Sequence, residues 1–124
     1  MTRANINFRY FNEKEKRFET IYCYHNGDQY PMGLVKFYNI MELFKDENGI
    51  SKDNFISWLT KNYSEDIKYI KTLATPCIYY DDCSMITDWS YVFEEEGLVL
   101  VYEWDKLVFK GDVSEAIEWF NKQK

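Results

Sequence analysis

The chain has few of the residues on which small specialised folds depend. Its 124 residues include three cysteines, two prolines and a single histidine. Three cysteines without a CxxC spacing argue against a disulfide scaffold or a zinc site, and we expect reduced thiols in a cytoplasmic compartment. No segment approaches the roughly twenty apolar residues of a membrane span, and no apolar run at the N-terminus suggests export. We therefore predict one domain, residues 1–124, that folds around its own hydrophobic core.

Motifs for catalysis and for cofactor binding are also missing. Gly27 and Gly33 flank a loop before a predicted helix, but their spacing matches neither a dinucleotide-binding fingerprint nor a P-loop. The serines lie in no Gly-x-Ser-x-Gly elbow, and His25 is the only histidine that could activate a cysteine nucleophile. We therefore expect a protein without enzymatic activity, cofactor or metal ion.

Aromatic and acidic residues are what the chain does have. Aromatic side chains make up 19% of it, with eleven tyrosines, nine phenylalanines and four tryptophans. The formal charge is −6 and is unevenly spread, since residues 1–62 have nine basic and eight acidic residues, whereas residues 63–124 have six basic and thirteen acidic. A negative field repels nucleic acid and anionic lipid and attracts basic protein surfaces. Direct binding to nucleic acid or to a membrane is therefore not expected.

The periodicity of the first half predicts a hairpin followed by helices. Residues 4–11 alternate between apolar and polar and are expected to pair with residues 18–25 across a charged turn. One face of the first strand is expected to be buried, and the residues predicted on its other face are Asn5, Asn7 and Arg9. Helices are predicted at about 33–45 and 53–63. Helix is then expected to give way at about 67–75 to an irregular connection closed by Pro76.

The second half is expected to be mainly sheet. Strands are predicted at 77–80, 89–93, 98–104 and 107–110, and residues 94–97 form a turn. Asp112 and Glu115 form a capping box that opens a helix to about residue 122. We therefore predict an α+β fold, with an antiparallel sheet of about five strands, two helices inserted after the N-terminal hairpin, and one C-terminal helix.

The acidic residues of the second half are the strongest candidate site. Carboxylates at a hairpin tip project freely, and ordered carboxylates can compete with phosphates for a basic channel through the same Coulomb field. Asp88 would join them if the chain folds back. Charge that only maintains solubility is the simpler interpretation of these residues. The residues predicted to contact a partner are Glu94, Glu95, Glu96, Asp81, Asp82, Tyr79, Tyr80 and Tyr91.

The turn after the second predicted strand suggests an alternative site. Tyr24, His25, Asp28 and Tyr30 could line a pocket at the start of the first helix, where backbone N–H groups attract small anions. Such a pocket would suit a protein that sequesters a nucleotide second messenger. A hydrolase using His25 and Asp28 is a third, less favoured interpretation, because the chain offers no second histidine. A histidine bonded to the backbone of its own turn is simpler than either.

Two parts of the sequence match a pattern that we associate with one family. The chain opens Thr-Arg-Ala-Asn-Ile-Asn-Phe after its initial methionine, and His25 is followed by Tyr30, Pro31 and Gly33. Residues 88–93 and 101–104 add a looser match. On these residues the chain resembles small proteins of tailed phages and prophages that have no assigned activity. In those proteins the segment between the histidine and the tyrosine of this turn is one residue shorter than residues 26–29 are here. The resemblance implies a phage or mobile-element origin and no particular mechanism.

These features together favour a binding protein over an enzyme. We expect a non-enzymatic phage or mobile-element accessory protein that binds and inhibits a host protein, such as an anti-CRISPR or another counter-defence inhibitor. Its partner is expected to be a host protein with a basic, nucleic-acid-binding surface, and its location the cytoplasm of the bacterial host. The sequestering protein for a small molecule remains the alternative.

Overall fold

The computed structural model describes residues 3–26, 38–39, 41–46, 49–50, 52–62, 67–78, 87–94 and 97–122. Their strands are β1 (Arg3–Asn12), β2 (Arg17–Asn26), β3 (Lys45–Asp46), β4 (Gly49–Ile50), β5 (Ile67–Leu73), β6 (Trp89–Glu94), β7 (Leu98–Glu103) and β8 (Lys106–Asp112). Their helices are α1 (Lys52–Asn62) and α2 (Val113–Lys122), and residues 38–39 and 41–43 are also helical. The fold is α+β, as the sequence predicts.

The main sheet is mixed and has six strands in the order β5-β2-β1-β6-β7-β8. β1 and β6 pair in parallel, whereas the other neighbours in this sheet pair antiparallel. β3 and β4 form a separate two-stranded sheet. The prediction of an antiparallel sheet of about five strands is therefore wrong in two respects: the central pair β1–β6 is parallel, and the sheet has six strands.

Strand β5 replaces the irregular connection predicted at about residues 67–75. Ile67–Leu73 pair antiparallel with β2 at one edge of the sheet. β5 and β6 run in the same direction, because β5 is antiparallel to β2, β2 is antiparallel to β1, and β1 is parallel to β6. The chain between β5 and β6 therefore connects the edge of the sheet to its middle.

The charged turn predicted after residue 11 joins β1 to β2. The side-chain oxygen of Asn12 accepts hydrogen bonds from the backbone N–H groups of Lys14 and Glu15, both at 3.0 Å. Side chains of this type stabilise turns by taking over backbone hydrogen bonds. The turn closes a regular antiparallel pair in which every residue of β1 has a partner on β2. That pairing fixes which side chains share each face of the sheet.

Apolar side chains fill the face of the sheet that the helices cover, which we call the helix face. Phe8 lies at the centre of β1, with its ring centroid 4.8 Å from that of Phe55 in α1 and 5.5 Å from that of Phe93 in β6. Burial of large apolar side chains is the main contribution to the stability of such a fold. The other buried residues of this core are Ala4, Ile6, Tyr10, Ile21, Cys23, Met41, Leu59, Tyr91, Val99, Val101, Ala116 and Phe120.

The opposite face of β1 is buried too, at Asn5 and Asn7, which corrects the prediction that this face is exposed. Both asparagines have no solvent-accessible surface. Asn7 forms hydrogen bonds with the backbone N–H and C=O of Cys77, and the Asn5 amide donates to the hydroxyls of Thr87 and Ser90. Buried amides are tolerated when they are hydrogen-bonded in this way. Residues just after β5 and just before β6 therefore cover this side, which we call the asparagine face.

The helices lie where the sequence predicts them, except that the first described helical segment ends before residue 45. The N–H of Glu115 donates to Oδ1 of Asp112 at 2.7 Å, and the N–H of Asp112 donates to Oε1 of Glu115 at 3.1 Å, so the capping box is confirmed. The helix predicted at 53–63 is α1. Residues 38–39 and 41–43 belong to the helix predicted at 33–45, and β3 begins at Lys45, before the predicted end. In these described parts, no helix is long and apolar enough to cross a membrane.

Candidate functional site

The predicted acidic tip lies at the turn between β6 and β7. Glu94 ends β6, and its backbone carbonyl accepts a hydrogen bond from the N–H of Gly97 at 3.2 Å. Gly97 has a φ of 81°, and a Cβ at this position would lie 3.0 Å from the hydroxyl oxygen of Tyr38. The turn thus requires glycine both for its backbone conformation and for this close approach. Glu95 and Glu96 lie outside the described residues.

The carboxylate of Glu94 is already paired within the fold. Its Oε2 lies 3.0 Å from an amino nitrogen of the Arg9 guanidinium, and both side chains are partly buried. The Arg9 guanidinium also lies 3.9 Å above the ring of Phe18, a cation–π contact that helps to fix its position. The charge of Glu94 is therefore compensated locally, and this residue contributes less to an acidic field than the sequence suggests.

The described acidic residues on and beside β6 and β7 lie at two ends of the sheet. Asp88 precedes β6, where it accepts a hydrogen bond from the Arg3 N–H at 2.8 Å through Oδ2, whereas Glu94 ends the same strand. A strand rises about 3.3 Å per residue, so roughly 17 Å separates the two ends of β6. Glu103 and Asp105 lie near Asp88, because Glu103 pairs with Trp89 at the start of β6. The expectation that Asp88 joins the Glu94 tip is therefore wrong.

Tyr91 is a core residue and not a surface contact. It is only 2% exposed and belongs to the helix face, opposite Ile6 on β1. Alternation places Val92 on the other face, where it is also buried, so the residue pattern of β6 does not indicate an accessible face. We therefore leave Tyr91 out of any proposed surface. The other predicted contacts at Tyr79, Tyr80, Asp81 and Asp82 lie outside the described residues.

The alternative pocket is described only at its first two residues. Tyr24 is mostly buried on β2, opposite Asn5, and the backbone of His25 pairs with that of Ala4. The pairing of β2 with β5 shifts register between Tyr24 and His25, which marks an irregularity next to the predicted turn. Asp28 and Tyr30 lie outside the described residues, so the small-molecule pocket stays a prediction.

An exposed aromatic residue in the turn between β7 and β8 is the feature that the sequence prediction missed. Trp104 is 60% exposed and has a φ of 57°. Its backbone N–H donates to the Asp88 carbonyl at 3.1 Å, and the Asp88 N–H donates to the Arg3 carbonyl at 2.9 Å. The flanking Glu103 and Asp105 are also exposed. The apolar run that ends at Trp104 predicts a central strand over 98–104, and such a strand would bury this ring.

The clearest ionisable cluster inside the fold has a structural role. Glu19 is 5% exposed, and its carboxylate accepts hydrogen bonds from the Tyr10 hydroxyl at 2.7 Å and the Asn12 amide at 3.1 Å. Nitrogens of Arg17 and Lys52 lie 3.5 and 3.9 Å from its two oxygens. Burial alone would raise the pKa of Glu19, but the two hydrogen bonds and the two positive charges outweigh it, so the pKa is lowered.

The lowered pKa of Glu19 predicts that the protein loses stability in acid. A carboxyl group with a folded pKa below its unfolded value stabilises the fold fully above pH 4.5, the ordinary value for glutamate, and this stabilisation is lost as the pH falls through the folded pKa. We expect Glu19→Gln to flatten the dependence of unfolding free energy on pH between pH 7 and pH 3. Urea denaturation across this range measures it, with exposed Glu13→Gln as the control. Equal slopes in the wild type and Glu19→Gln would contradict the assignment.

Cys23 shows no sign of being a nucleophile. Its side chain is fully buried in the core, and burial raises the pKa of the thiol, so the reactive thiolate is suppressed. Among the described residues, no group of three or more His, Cys, Asp or Glu side chains could hold a metal ion. A buried structural thiol is therefore the role that the structure gives to Cys23.

Comparison with known proteins gives no further assignment. No family model, no curated protein and no solved structure matches the chain. The resemblance to small phage proteins rests on the residues of the sequence alone and stays a hypothesis.

Proposed function

We propose that this chain is a non-enzymatic accessory protein of a phage or mobile element that binds and inhibits a host protein, acting as an anti-CRISPR or another counter-defence inhibitor. Its partner is a protein with a basic, nucleic-acid-binding surface in the bacterial cytoplasm. The observation that supports this best is the exposed indole of Trp104 between the exposed carboxylates of Glu103 and Asp105. Aromatic and acidic groups held together at a surface suit protein recognition and disfavour contact with phosphates.

The inhibitor acts by occupying a surface. Carboxylates on a folded scaffold present negative charge at fixed positions, as phosphates do along a nucleic acid, and so they compete for the same basic channel. Charge of this kind speeds the encounter and selects the partner, while buried aromatic contacts slow dissociation. The mechanism requires no bond-making step. It also leaves Glu19 and Cys23 to their structural roles inside the fold.

The acidic segment at the β6–β7 turn is the second part of the proposed surface. Glu94 is paired with Arg9, so most of the free charge proposed for this segment resides on Glu95 and Glu96. Asp81, Asp82, Tyr79 and Tyr80 remain proposed contacts as well. The fold places Glu94 and Trp104 toward opposite ends of the β6–β7 pair, so a partner that contacts both would have to span this part of the sheet.

Reversing the acidic tip is expected to abolish inhibition while leaving the fold intact. In cells with an active CRISPR effector, the wild-type chain should restore transformation by a targeted plasmid. The combined change Glu94→Lys, Glu95→Lys and Glu96→Lys should reduce that rescue by at least about tenfold, because like charges would then face the basic partner. Glu94→Lys removes the Arg9–Glu94 pair and places a second positive charge beside Arg9, so stability should fall by about 1–2 kcal/mol, and thermal melting checks that the variant is folded at the assay temperature.

The matched control reverses two carboxylates in the neighbouring β1–β2 turn, which lies at the same end of the sheet as the acidic tip because β1 and β6 are parallel. Glu13 and Glu15 are exposed there, so Glu13→Lys with Glu15→Lys alters net charge in the same direction at the same end of the sheet while leaving the proposed residues unchanged. This control should retain inhibition. Full rescue by the triple variant, or equal loss in the control, would rule out the acidic tip. A wild-type chain that inhibits none of a panel of effector types would remove the anti-CRISPR assignment.

A further inference from the structure

We infer that the β7–β8 turn is a docking element that inserts the Trp104 indole into an apolar pocket bordered by basic residues on a partner protein. The choice of a protein partner rests on the proposed function. Large apolar side chains that are exposed in the described residues are Phe18, Leu43, Trp104 and Leu107. Two of these, Trp104 and Leu107, belong to the β7–β8 hairpin.

Turn chemistry does not explain a tryptophan at this position. Trp104 and Asp105 form a two-residue turn between the paired residues Glu103 and Lys106. The φ of Trp104 is 57°, in the left-handed region where a side chain is unfavourable and where hairpin turns of this length prefer glycine or asparagine. Tryptophan therefore occupies a backbone conformation that disfavours it. Unfavourable backbone conformations of this kind are concentrated at functional positions.

The backbone of this turn is also held in place by hydrogen bonds to the neighbouring strands. The Trp104 N–H extends the β6–β7 ladder by donating to the Asp88 carbonyl. Asp88 in turn exchanges hydrogen bonds with the backbone of Arg3, through its own N–H and through Oδ2. With the backbone held, only the two side-chain torsion angles of tryptophan have to be ordered on binding, so the entropy cost is small, as it is for aromatic residues that dominate protein interfaces.

The charges around Trp104 select the class of partner. Glu103 and Asp105 are negative and Lys106 is positive, so residues 103–106 carry a net charge of −1, and the partly exposed Asp88 lies beside them. An exposed indole could otherwise stack on a nucleic-acid base or enter a lipid interface. The acidic neighbours disfavour both, because phosphate and anionic lipid are repelled. A protein pocket with a basic rim is the remaining complement.

Site-specific photo-crosslinking tests this inference even when the partner has not been identified. A photo-reactive phenylalanine replaces Trp104 in one variant and Leu43, which is 74% exposed, in the control, and both are irradiated in bacteria with an active CRISPR effector. We expect a protein adduct from position 104 that is absent at position 43 and is lost with Glu103→Lys and Asp105→Lys. No adduct from 104, equal adducts from both positions, or an adduct of two copies of this chain would overturn the inference.

The partner that crosslinking identifies is then purified in its free form, and the affinity of the chain for it tests the role of the indole. Trp104→Gly keeps the backbone conformation and relieves its strain, so the melting temperature should not fall. Affinity should nevertheless drop by roughly thirtyfold, as for a buried aromatic anchor, and the wild-type affinity should weaken with added salt. Unchanged affinity for Trp104→Gly would overturn the inference.

The outcomes separate this inference from the proposed function. If the adduct forms and Trp104→Gly weakens binding, but the chain inhibits no host defence, the docking element stands and the proposed function fails. If the chain inhibits an effector and Trp104→Gly inhibits equally well, the proposed function stands and the docking element fails.

Discussion

Replacing Asn7 by alanine is expected to lower the free energy of unfolding by about 3 kcal/mol. The Asn7 side chain has no solvent-accessible surface. Its amide nitrogen donates to the carbonyls of Cys77 at 3.0 Å and Tyr91 at 3.2 Å, and its oxygen accepts from the Cys77 N–H at 2.8 Å. Alanine removes all three of these hydrogen bonds at once, including the buried bond to the Tyr91 carbonyl, and the loss of hydrogen bonds to buried groups is costly.

The loss should be largest where Asn7 fixes the chain that follows β5. Cys77 is 70 residues from Asn7 in sequence, and its N–H and C=O both bond to that one side chain. We expect faster hydrogen exchange of the Cys77 amide in Asn7→Ala, together with a lower urea midpoint. Exposed Asn121→Ala is the control and should change stability by less than about 0.5 kcal/mol. A loss below about 1 kcal/mol in Asn7→Ala would contradict the role assigned to this amide.

An aspartate at the same position tests the hydrogen bonds without changing side-chain size. In Asn7→Asp, a carboxylate would face the carbonyl oxygens of Cys77 and Tyr91, so the charged form is disfavoured and the folded pKa of the new group is raised. The penalty is then smallest at low pH, where the group is protonated in both states, and grows as the pH rises through the unfolded pKa. Asn7→Asp should therefore be more destabilised at pH 7 than at pH 4. Asn7→Ala should show no such difference.

The asparagine face illustrates where reasoning from sequence stops. Alternation along β1 found the strand and its apolar side, but it could not show that the polar side is also buried. The groups that cover it come from distant parts of the chain, since Asn5 bonds to Thr87 across 82 residues and Asn7 to Cys77 across 70. Polar residues signal exposure only when no distant segment supplies their hydrogen bonds.

Local signals succeeded wherever one segment determines its own structure. The Asp112–Glu115 capping box, the Asn12 turn and the Gly97 turn depend on neighbours within a few residues, and all three are present. The prediction of an irregular connection at about residues 67–75, where the structure has β5, failed for the opposite reason. The apolar Ile67 and Ile70 of β5 are three residues apart, which suits a helix as well as a strand, and only pairing with β2 decides between them.

The candidate site was predictable only in part. Glu94 lies at the predicted turn, but its pairing with Arg9 depends on β1 and β6 being neighbours, which the predicted antiparallel sheet did not include. Tyr91 belongs to a strand with both faces buried, so the alternation of its residues could not show whether the Tyr91 side chain is exposed. Trp104 ends an apolar run, which predicts it as the last residue of a strand with a tight turn at Asp105 and Lys106. The turn instead begins one residue earlier, at Trp104, and this shift exposes the ring.

Replacing Phe8 by alanine is expected to remove about 3–5 kcal/mol of stability, the largest loss that we predict. Phe8 is fully buried and joins three elements, because its ring packs against Phe55 of α1 and Phe93 of β6 from the centre of β1. Alanine removes the apolar contact area and leaves a cavity that two neighbouring aromatic rings fill only partly. Urea denaturation gives the loss, and an unchanged dependence on urea concentration would show that the shift in midpoint reports a change in stability.

The same deletion at Phe18 provides a matched control on the neighbouring strand. Phe18 is 46% exposed, packs edge-on against Phe11 and lies beneath the Arg9 guanidinium. Phe18→Ala should cost only about 1–2 kcal/mol, since half of the ring already contacts water and the cation–π contact adds about 0.5–1 kcal/mol. If both variants lose the same stability, the position of the core between β1, β6 and α1 would be wrong. A large excess for Phe8→Ala supports the position of Phe8 in the core, between Phe55 of α1 and Phe93 of β6.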